Sequence, residues 1–250
     1  MTHTLDEAPY ARDLATNGYA FIPSEFYFGS VLDGRETKEL RSDYLQLSAA
    51  YEDLEIDPYS TGNRYRKYAQ LRVDRDSTDF EYGYFEPYLQ TKKYNPDTGG
   101  VVRTYPLISD ELRKNRMLSQ ILRSDISFLR CYDRMEADPS EMMVGLHLFR
   151  YLAYADDPAY SSPNWLHKDD ENVVFVHLVE TSANIVGGDN VIARDAKSFE
   201  TTLRLSDTFD TLVVNHDKLH AVTPVGTRGT NTVVPSHRDI MLVTFQTRDA

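Results

Sequence analysis

Cysteine is nearly absent: Cys131 is the single one in 250 residues. A lone thiol excludes an intramolecular disulfide framework and matches a reducing compartment. Long apolar runs are missing too. "NVVFV" and "IMLVTF" are the longest aliphatic stretches, far short of the roughly 20 residues a membrane-spanning helix needs. The opening "MTHTLDEAPYARDLATNGY" has no basic stretch followed by an apolar one, so no secretory signal is expected. Positive charge is scarce: 27 Lys plus Arg stand against 39 Asp plus Glu, a formal net charge of -12. With no local basic cluster, that balance argues against nucleic acid or an anionic membrane as a partner. There is no internal repeat and no low-complexity tract. These absences lead to the expectation of a cytoplasmic, soluble globular protein.

What the chain does contain is core material. Hydrophobic residues make up 41%, with 17 Tyr and 11 Phe, enough for one large domain over residues 1–250. Residues 5–17 carry Leu5, Ala8, Ala11 and Leu14 at helical spacing, and "GYAFIPSEF" then turns toward strand character. Residues 36–53 put Leu40, Tyr44, Leu47 and Tyr51 on one stripe of a second helix. "GNRYRKYAQLRV" reads as a basic, aromatic strand. Residues 77–106 are tyrosine-rich and irregular, with turn chemistry at "YNPDTGG" and the position of a lid. Ser109 opens a third helix over 109–129. After about 141, short β-rich runs alternate with Gly, Asp and Pro turns, as in a sandwich or barrel. The expected plan is a mostly helical part, 1–140, packed on a β-rich part, 141–250, with no linker between them.

The chemistry gathers in the second part. In "NWLHKDDENVVFVHLVE", His167 and Asp169 are two apart, so on an extended chain they project to one face. An imidazole and a carboxylate suit a divalent ion such as Fe(II), although a solvated strand edge would look the same. His220, inside the apolar run "KLHAVTPV", completes two imidazoles and one carboxylate. Such a set covers one face of an iron and leaves three positions open, as oxygen activation requires. His216 reads as a turn histidine and His177 as a structural one.

Arg238 starts "RDIMLVTF", where Arg238, Ile240, Leu242 and Thr244 share a face. A buried guanidinium must be paired. Either a nearby acidic residue or a dicarboxylate co-substrate would serve, with Thr244 as a hydroxyl donor. Arg228 competes for this role, but it sits in loop-like "VGTRGTN". Arg150 ends the alternating stripe Val144, Leu146, Leu148 and is a candidate for a substrate carboxylate. Asn184 in "ANIVGGDN" is a second substrate-binding candidate, and Gly187–Gly188 allows a tight turn or a close backbone approach.

At these residues the chain resembles the isoleucine-dioxygenase family. The likeness is carried by "HKDDENVVFVHLVETSANIVGGDNVI", "DTLVVNHDKLHAVTPV" and "HRDIMLVTF", with weaker echoes in "GNRYRKYA" and "QTKKYNPDTGGVVRTYPL". The family contains iron(II)- and 2-oxoglutarate-dependent oxygenases that hydroxylate free aliphatic amino acids. The resemblance implies an α+β fold: a double-stranded β-helix, or jelly-roll barrel, with N-terminal helices packed on it. It implies His167, Asp169 and His220 as ligands to Fe(II), Arg238 as the partner of 2-oxoglutarate, O2 as oxidant, and succinate and CO2 as by-products. Asp170 is a departure, since the family usually has glycine after the ligand aspartate. Desaturation, a carrier- or peptide-tethered substrate and a non-catalytic jelly-roll binding module stay open as alternatives. So does the choice between a monomer and a homodimer.

Overall fold

In "MMVGLHLFRYLA" and "SHRDIMLVTFQT", alternate side chains differ in what they bury, and this parity organises the molecule. The computed structural model describes residues 7–60, 62–89, 92, 99–135, 137–161, 163, 165–229 and 234–247. In chain order it has α1 (Ala8–Asn17), β1 (Tyr19–Ile22), a short α2 (Ser24–Phe26), α3 (Thr37–Ala49), β2 (Glu55–Ile56) and β3 (Arg64–Val73). Then come β4 (Phe80–Gly83), β5 (Tyr88–Leu89), β6 (Val102–Arg103), α4 (Arg116–Cys131), β7 (Met142–Ala153) and β8 (Val173–Thr181). The chain continues through β9 (Ile185–Gly187), β10 (Asn190–Asp195), β11 (Ser198–Leu203) and β12 (Thr211–Asn215). It closes with β13 (Leu219–Val222), β14 (Val225–Thr227) and β15 (Ser236–Thr247).

The main sheet runs β1-β12-β8-β15-β7-β3-β2, with β4 on β3, and the second sheet is β11-β10-β13. All pairings between these strands are antiparallel. The architecture is mostly antiparallel β with few helices, consistent with a jelly roll. β15 sits at the centre, paired with β7 from Ser236↔Ala153 to Thr247↔Met142 and with β8 on its other side.

Successive side chains on these strands point to opposite faces. Val144, Leu146, Leu148, Phe175, Met241, Val243 and Phe245 share one buried cluster with Ala11 and Leu14 of α1, Leu47 of α3 and Ile121, Leu122 and Phe128 of α4. Phe149, Tyr151, Leu178, Leu212 and Ile240 belong to a second cluster, joined by Ile192 of the smaller sheet. The cavity described below opens on this second face.

Two expectations need correction. Residues 1–140 are not simply helical: β1, β2, β3 and β4 join the main sheet, and ten-residue β3 pairs with β7 from Arg64↔Tyr151 to Leu71↔Val144. The helix expected from Ser109 begins later. The Ser109 hydroxyl accepts from the Leu112 amide and caps a 3-10 turn, Leu112–Lys114, before Asn115 caps α4 through Leu118. The helix of 36–53 appears as α3 followed by a 3-10 turn, Ala50–Asp53. In α1, Ala11 and Leu14 are buried while Ala8 is exposed, and Leu5 lies outside the described residues. The "YNPDT" part of the expected turn, 94–98, also lies outside them. No helix of the described residues is long and apolar enough to cross a membrane.

Glu7 gives the packing a pH signature. Its carboxylate accepts from the Ser127 and Ser124 hydroxyls of α4, at 2.7 and 3.2 Å. Burial lifts its pKa from 4.5 to about 7, against those two hydrogen bonds. Between these values the folded chain holds a proton that the unfolded chain has lost, so stability falls as pH rises across the window. Thermal melts from pH 4.5 to 7 should show Glu7→Gln flattening that fall and melting higher above the window. An unchanged pH profile would remove Glu7 as its source.

Candidate metal centre and its cavity

Ala159 lies beside β14 and His167 beside β13. Ala159 exchanges two backbone hydrogen bonds with Val225, both 2.9 Å, and His167 exchanges two with His220, at 2.9 and 3.0 Å. Directly opposed residues of an antiparallel pair present their side chains on one face, and the two imidazole centroids are 4.5 Å apart. Asp169 turns its carboxylate to both rings. Oδ1 is 3.3 Å from Nε2 of His167, and Oδ2 is 3.3 Å from Nε2 of His220. One potential ligand atom from each residue lies within 4.8 Å of the others.

The donor set suits a cation. Nδ1 of His167 is 2.7 Å from the Trp165 carbonyl, and Nδ1 of His220 is 3.2 Å from that of Lys218. A carbonyl only accepts, so Nδ1 carries the proton in each ring and Nε2 presents a lone pair. Each Nε2 faces the Asp169 carboxylate, where a ring either holds a second proton or gives its lone pair to a divalent ion that takes the proton's place. Burial works against charge at Asp169, yet the two imidazoles hold its carboxyl far below the ordinary range. Burial likewise lowers His220, and the Asp169 carboxylate more than reverses it.

The cavity beside this centre is lined by Arg238, Ile240, Leu242 and Thr244, the four residues expected to share a face of β15. Arg238 is 2% exposed, and its Nη2 has no hydrogen-bond partner among the described residues. Burial brings its guanidinium down to about 10. Gly188 allows this placement: at φ +74° a Cβ there would meet Arg238 Cδ at 2.9 Å. Gly187, also at φ +74°, has the Pro224 carbonyl oxygen 1.9 Å from where its Cβ would stand. The glycine pair is thus a turn packed under an arginine.

Thr244 lines the same cavity but cannot share one carboxylate with Arg238. Six residues of strand separate them by roughly 20 Å. Thr244 pairs with Val174, at the end of β8 into which the Asp169 segment leads.

Both substrate-binding candidates are corrected. Arg150 points away from the cavity: Nε and Nη2 bind Asp239 at 2.8 and 2.7 Å, and Nη1 binds Glu52 at 2.7 Å. Its parity is that of Leu148, on the helix-covered face, and an internal ion pair satisfies it. Asn184 is also absent from the wall. Its amide donates to Thr227 Oγ1 at 3.1 Å, tying β9 to β14. Asn190 is the asparagine that lines the cavity.

The other sequence readings resolve simply. His177 is buried and bonded at both ring nitrogens, to Thr211 and Asp125. His216 lies in a turn near Asp217, and Arg228 is exposed. Asp170 is half-buried and not part of the cavity wall.

Arg64, Arg66, Tyr88, Arg103 and Glu171 also line the cavity and were not singled out from the sequence. Arg64 and Arg66 alternate along "RYRKYAQLRV", so the same-face argument used for Arg238 would have found them. Within 77–106, Tyr88 and Tyr105 are buried against Tyr68, and Tyr88 lines the cavity; residues 90–91 and 93–98 lie outside the described residues.

The chain is similar to known proteins over most of its length. The family model described as 2OG-Fe dioxygenase matches residues 48–244. The chain is 48% identical over 238 residues to a 3(1)-hydroxy-L-isoleucine 4-dioxygenase of Pantoea ananatis, covering 95% of each. It is 35% identical over 239 residues to an L-isoleucine-4-hydroxylase of Bacillus thuringiensis, covering 95% of this chain and 94% of the relative. Among solved structures, IDO from Bacillus thuringiensis superposes with a TM-score of 0.82 at 32% identity, over 98% of this chain and 100% of that one.

Metal binding is directly measurable. Ion held by the folded state alone adds about 2.7 kcal/mol at a concentration 100-fold above its dissociation constant. Anaerobic Fe(II), or Mn(II) in air, should therefore raise the melting temperature of the wild type and leave His220→Ala unmoved. An equal rise in both would mean the ion binds elsewhere.

Proposed function

The chain belongs to the 2OG-Fe dioxygenase family, and from that premise we propose that it hydroxylates an unactivated carbon of a free aliphatic L-amino acid. It is a 2-oxoglutarate-dependent dioxygenase using Fe(II), 2-oxoglutarate and O2. The observation that carries the substrate reading is the likeness, over 95% of the chain, to relatives named for L-isoleucine and for a hydroxylated L-isoleucine.

The residues take the following roles. His167, Asp169 and His220 hold the ion, with their Nδ1 hydrogen bonds to Trp165 and Lys218 fixing the rings. Bound iron with 2-oxoglutarate and O2 supplies the oxidising chemistry, releasing succinate and CO2. Arg238 takes the far carboxylate of 2-oxoglutarate, since a buried guanidinium with an unpartnered Nη2 is a seat for a carboxylate fork. Thr244 adds a hydroxyl to the wall of the same cavity. Val174, Val176, Leu212, Ile240 and Leu242 make the apolar wall that keeps water from the reacting carbon. We read the main sheet and the facing three-stranded sheet as walls of a double-stranded β-helix with α1, α3 and α4 on its outer face. Residues 1–250 act as one catalytic unit, working in the cytoplasm.

A panel of free amino acids, including L-isoleucine and hydroxylated L-isoleucine, incubated with Fe(II) and 2-oxoglutarate tests this. Succinate release with product heavier by one oxygen is expected. Loss of two hydrogens would indicate desaturation, and turnover of a tethered residue alone would overturn the free-substrate reading. His167→Ala, Asp169→Ala and His220→Ala should each stay folded and lose turnover; activity retained in any of them removes that residue from the centre. Arg238→Leu should raise the KM for 2-oxoglutarate by roughly 100-fold, whereas an unchanged KM would move the co-substrate seat elsewhere.

A further inference from the structure

The cavity has a second cationic seat on β3, two strands from Arg238. Arg64 stands level with Tyr151 and Arg238 in the sheet, and Arg66 level with Phe149 and Ile240. Neighbouring strands are about 4.8 Å apart, so this wall lies roughly 10 Å across the sheet from β15.

One carboxylate serves both arginines. Arg64 donates to Asp57 Oδ2 from Nε and Nη2, at 3.1 and 2.6 Å, while the Tyr59 amide takes Oδ1 at 2.9 Å. Nη1 of Arg66 reaches the same Oδ2 only at 3.7 Å. Its Nη2 donates to Nδ1 of His147 at 2.5 Å, and its Nε has no hydrogen-bond partner among the described residues. His147 does not neutralise it. The ring accepts at Nδ1, and burial, with Arg66 and Arg64 nearby, holds it well below its usual range as a neutral imidazole. Around the guanidinium lie Tyr105, Phe149 and Tyr88, with Cζ 3.7, 4.7 and 5.1 Å from the ring centroids. Aromatic faces moderate a desolvated cation but do not replace an anion. Arg66 is 3% exposed, and a buried charge without its counter-ion is costly. Arg66 thus reaches the cavity with its nearest carboxylate, Asp57, already engaged by Arg64.

We propose that Arg66 is the seat for the substrate's α-carboxylate, so that this enzyme takes the free acid and rejects substrates in which that group is an amide or thioester. The proposal rests on the amino-acid hydroxylase reading and adds to it the residue that reads the carboxylate. Arg64 and Asp57 brace the seat, His147 orients its fork, and Arg238 remains free for the co-substrate.

The test compares L-isoleucine with L-isoleucinamide, reading succinate release in wild type, Arg66→Gln and Arg66→Lys. Wild type should prefer the acid by roughly 100-fold in kcat/KM, and Arg66→Gln should raise the KM for L-isoleucine by about the same factor. In that variant the preference should collapse, while the KM for 2-oxoglutarate stays as in wild type. Arg66→Lys, which keeps the charge and loses the fork, should fall between and serves if the glutamine variant does not fold. Wild type using the amide as readily as the acid overturns the proposal. So does an acid preference surviving in Arg66→Gln, or a parallel rise in both KM values. If wild type releases no succinate with any free amino acid of the panel, the hydroxylase reading has failed instead. The seat is then judged by melting with L-isoleucine: a rise in wild type lost in Arg66→Gln supports it, and equal behaviour removes it.

Discussion

Two backbone hydrogen bonds between His167 and His220, at 2.9 and 3.0 Å, are the constraint on which the site depends. They join segments more than fifty residues apart and set the two imidazoles side by side, with centroids 4.5 Å apart. Once that pairing is made, the extended chain carries Asp169 back to the same side, and the two Nδ1 hydrogen bonds to local carbonyls turn the remaining lone pairs inward. Metal-binding geometry here comes from strand pairing, with each ring held by the chain two residues before it. A register shift of one residue would send one imidazole to the opposite face.

The parity of β15 applies the same logic to the cavity. Paired on both sides, it commits Met241, Val243 and Phe245 to the helix-covered core and Arg238, Ile240, Leu242 and Thr244 to the cavity. Charge follows from that division. On the core side, Arg150 is neutralised by Asp239 and Glu52, as a residue away from ligand must be. On the cavity side, Arg238 keeps an unpartnered nitrogen, and Arg66 shares a carboxylate already used by Arg64. Guanidiniums that the fold leaves incompletely paired line the cavity.

Much of this was legible along the chain. The strands over 142–153, 173–181, 211–215, 219–222 and 236–247 follow apolar runs ended by turn residues, and the stripe Arg238, Ile240, Leu242, Thr244 follows period-two spacing. Helices α3 and α4 are visible as stripes, although the N-terminal edge of α4 moved from Ser109 to Asn115 because two caps lie in succession. β3 also read correctly as a strand. Its membership of the main sheet did not, since nothing local tells a strand which neighbour it will have.

Local spacing by itself determined which residues share a face, and therefore the His167–Asp169 pair, the β15 stripe and the exclusion of disulfide and membrane-helix architectures. Tertiary structure decided which face is the cavity. Arg150 and Arg238 look alike as arginines on alternating strands, but one meets Asp239 and the other meets open space. The same holds for Asn184 and Asn190, and for Arg64 and Arg66, which gained their place only when β3 paired with β7. The physical reason is that periodicity is a property of one strand, whereas a counter-ion, or the lack of one, belongs to the neighbours that folding brings alongside it.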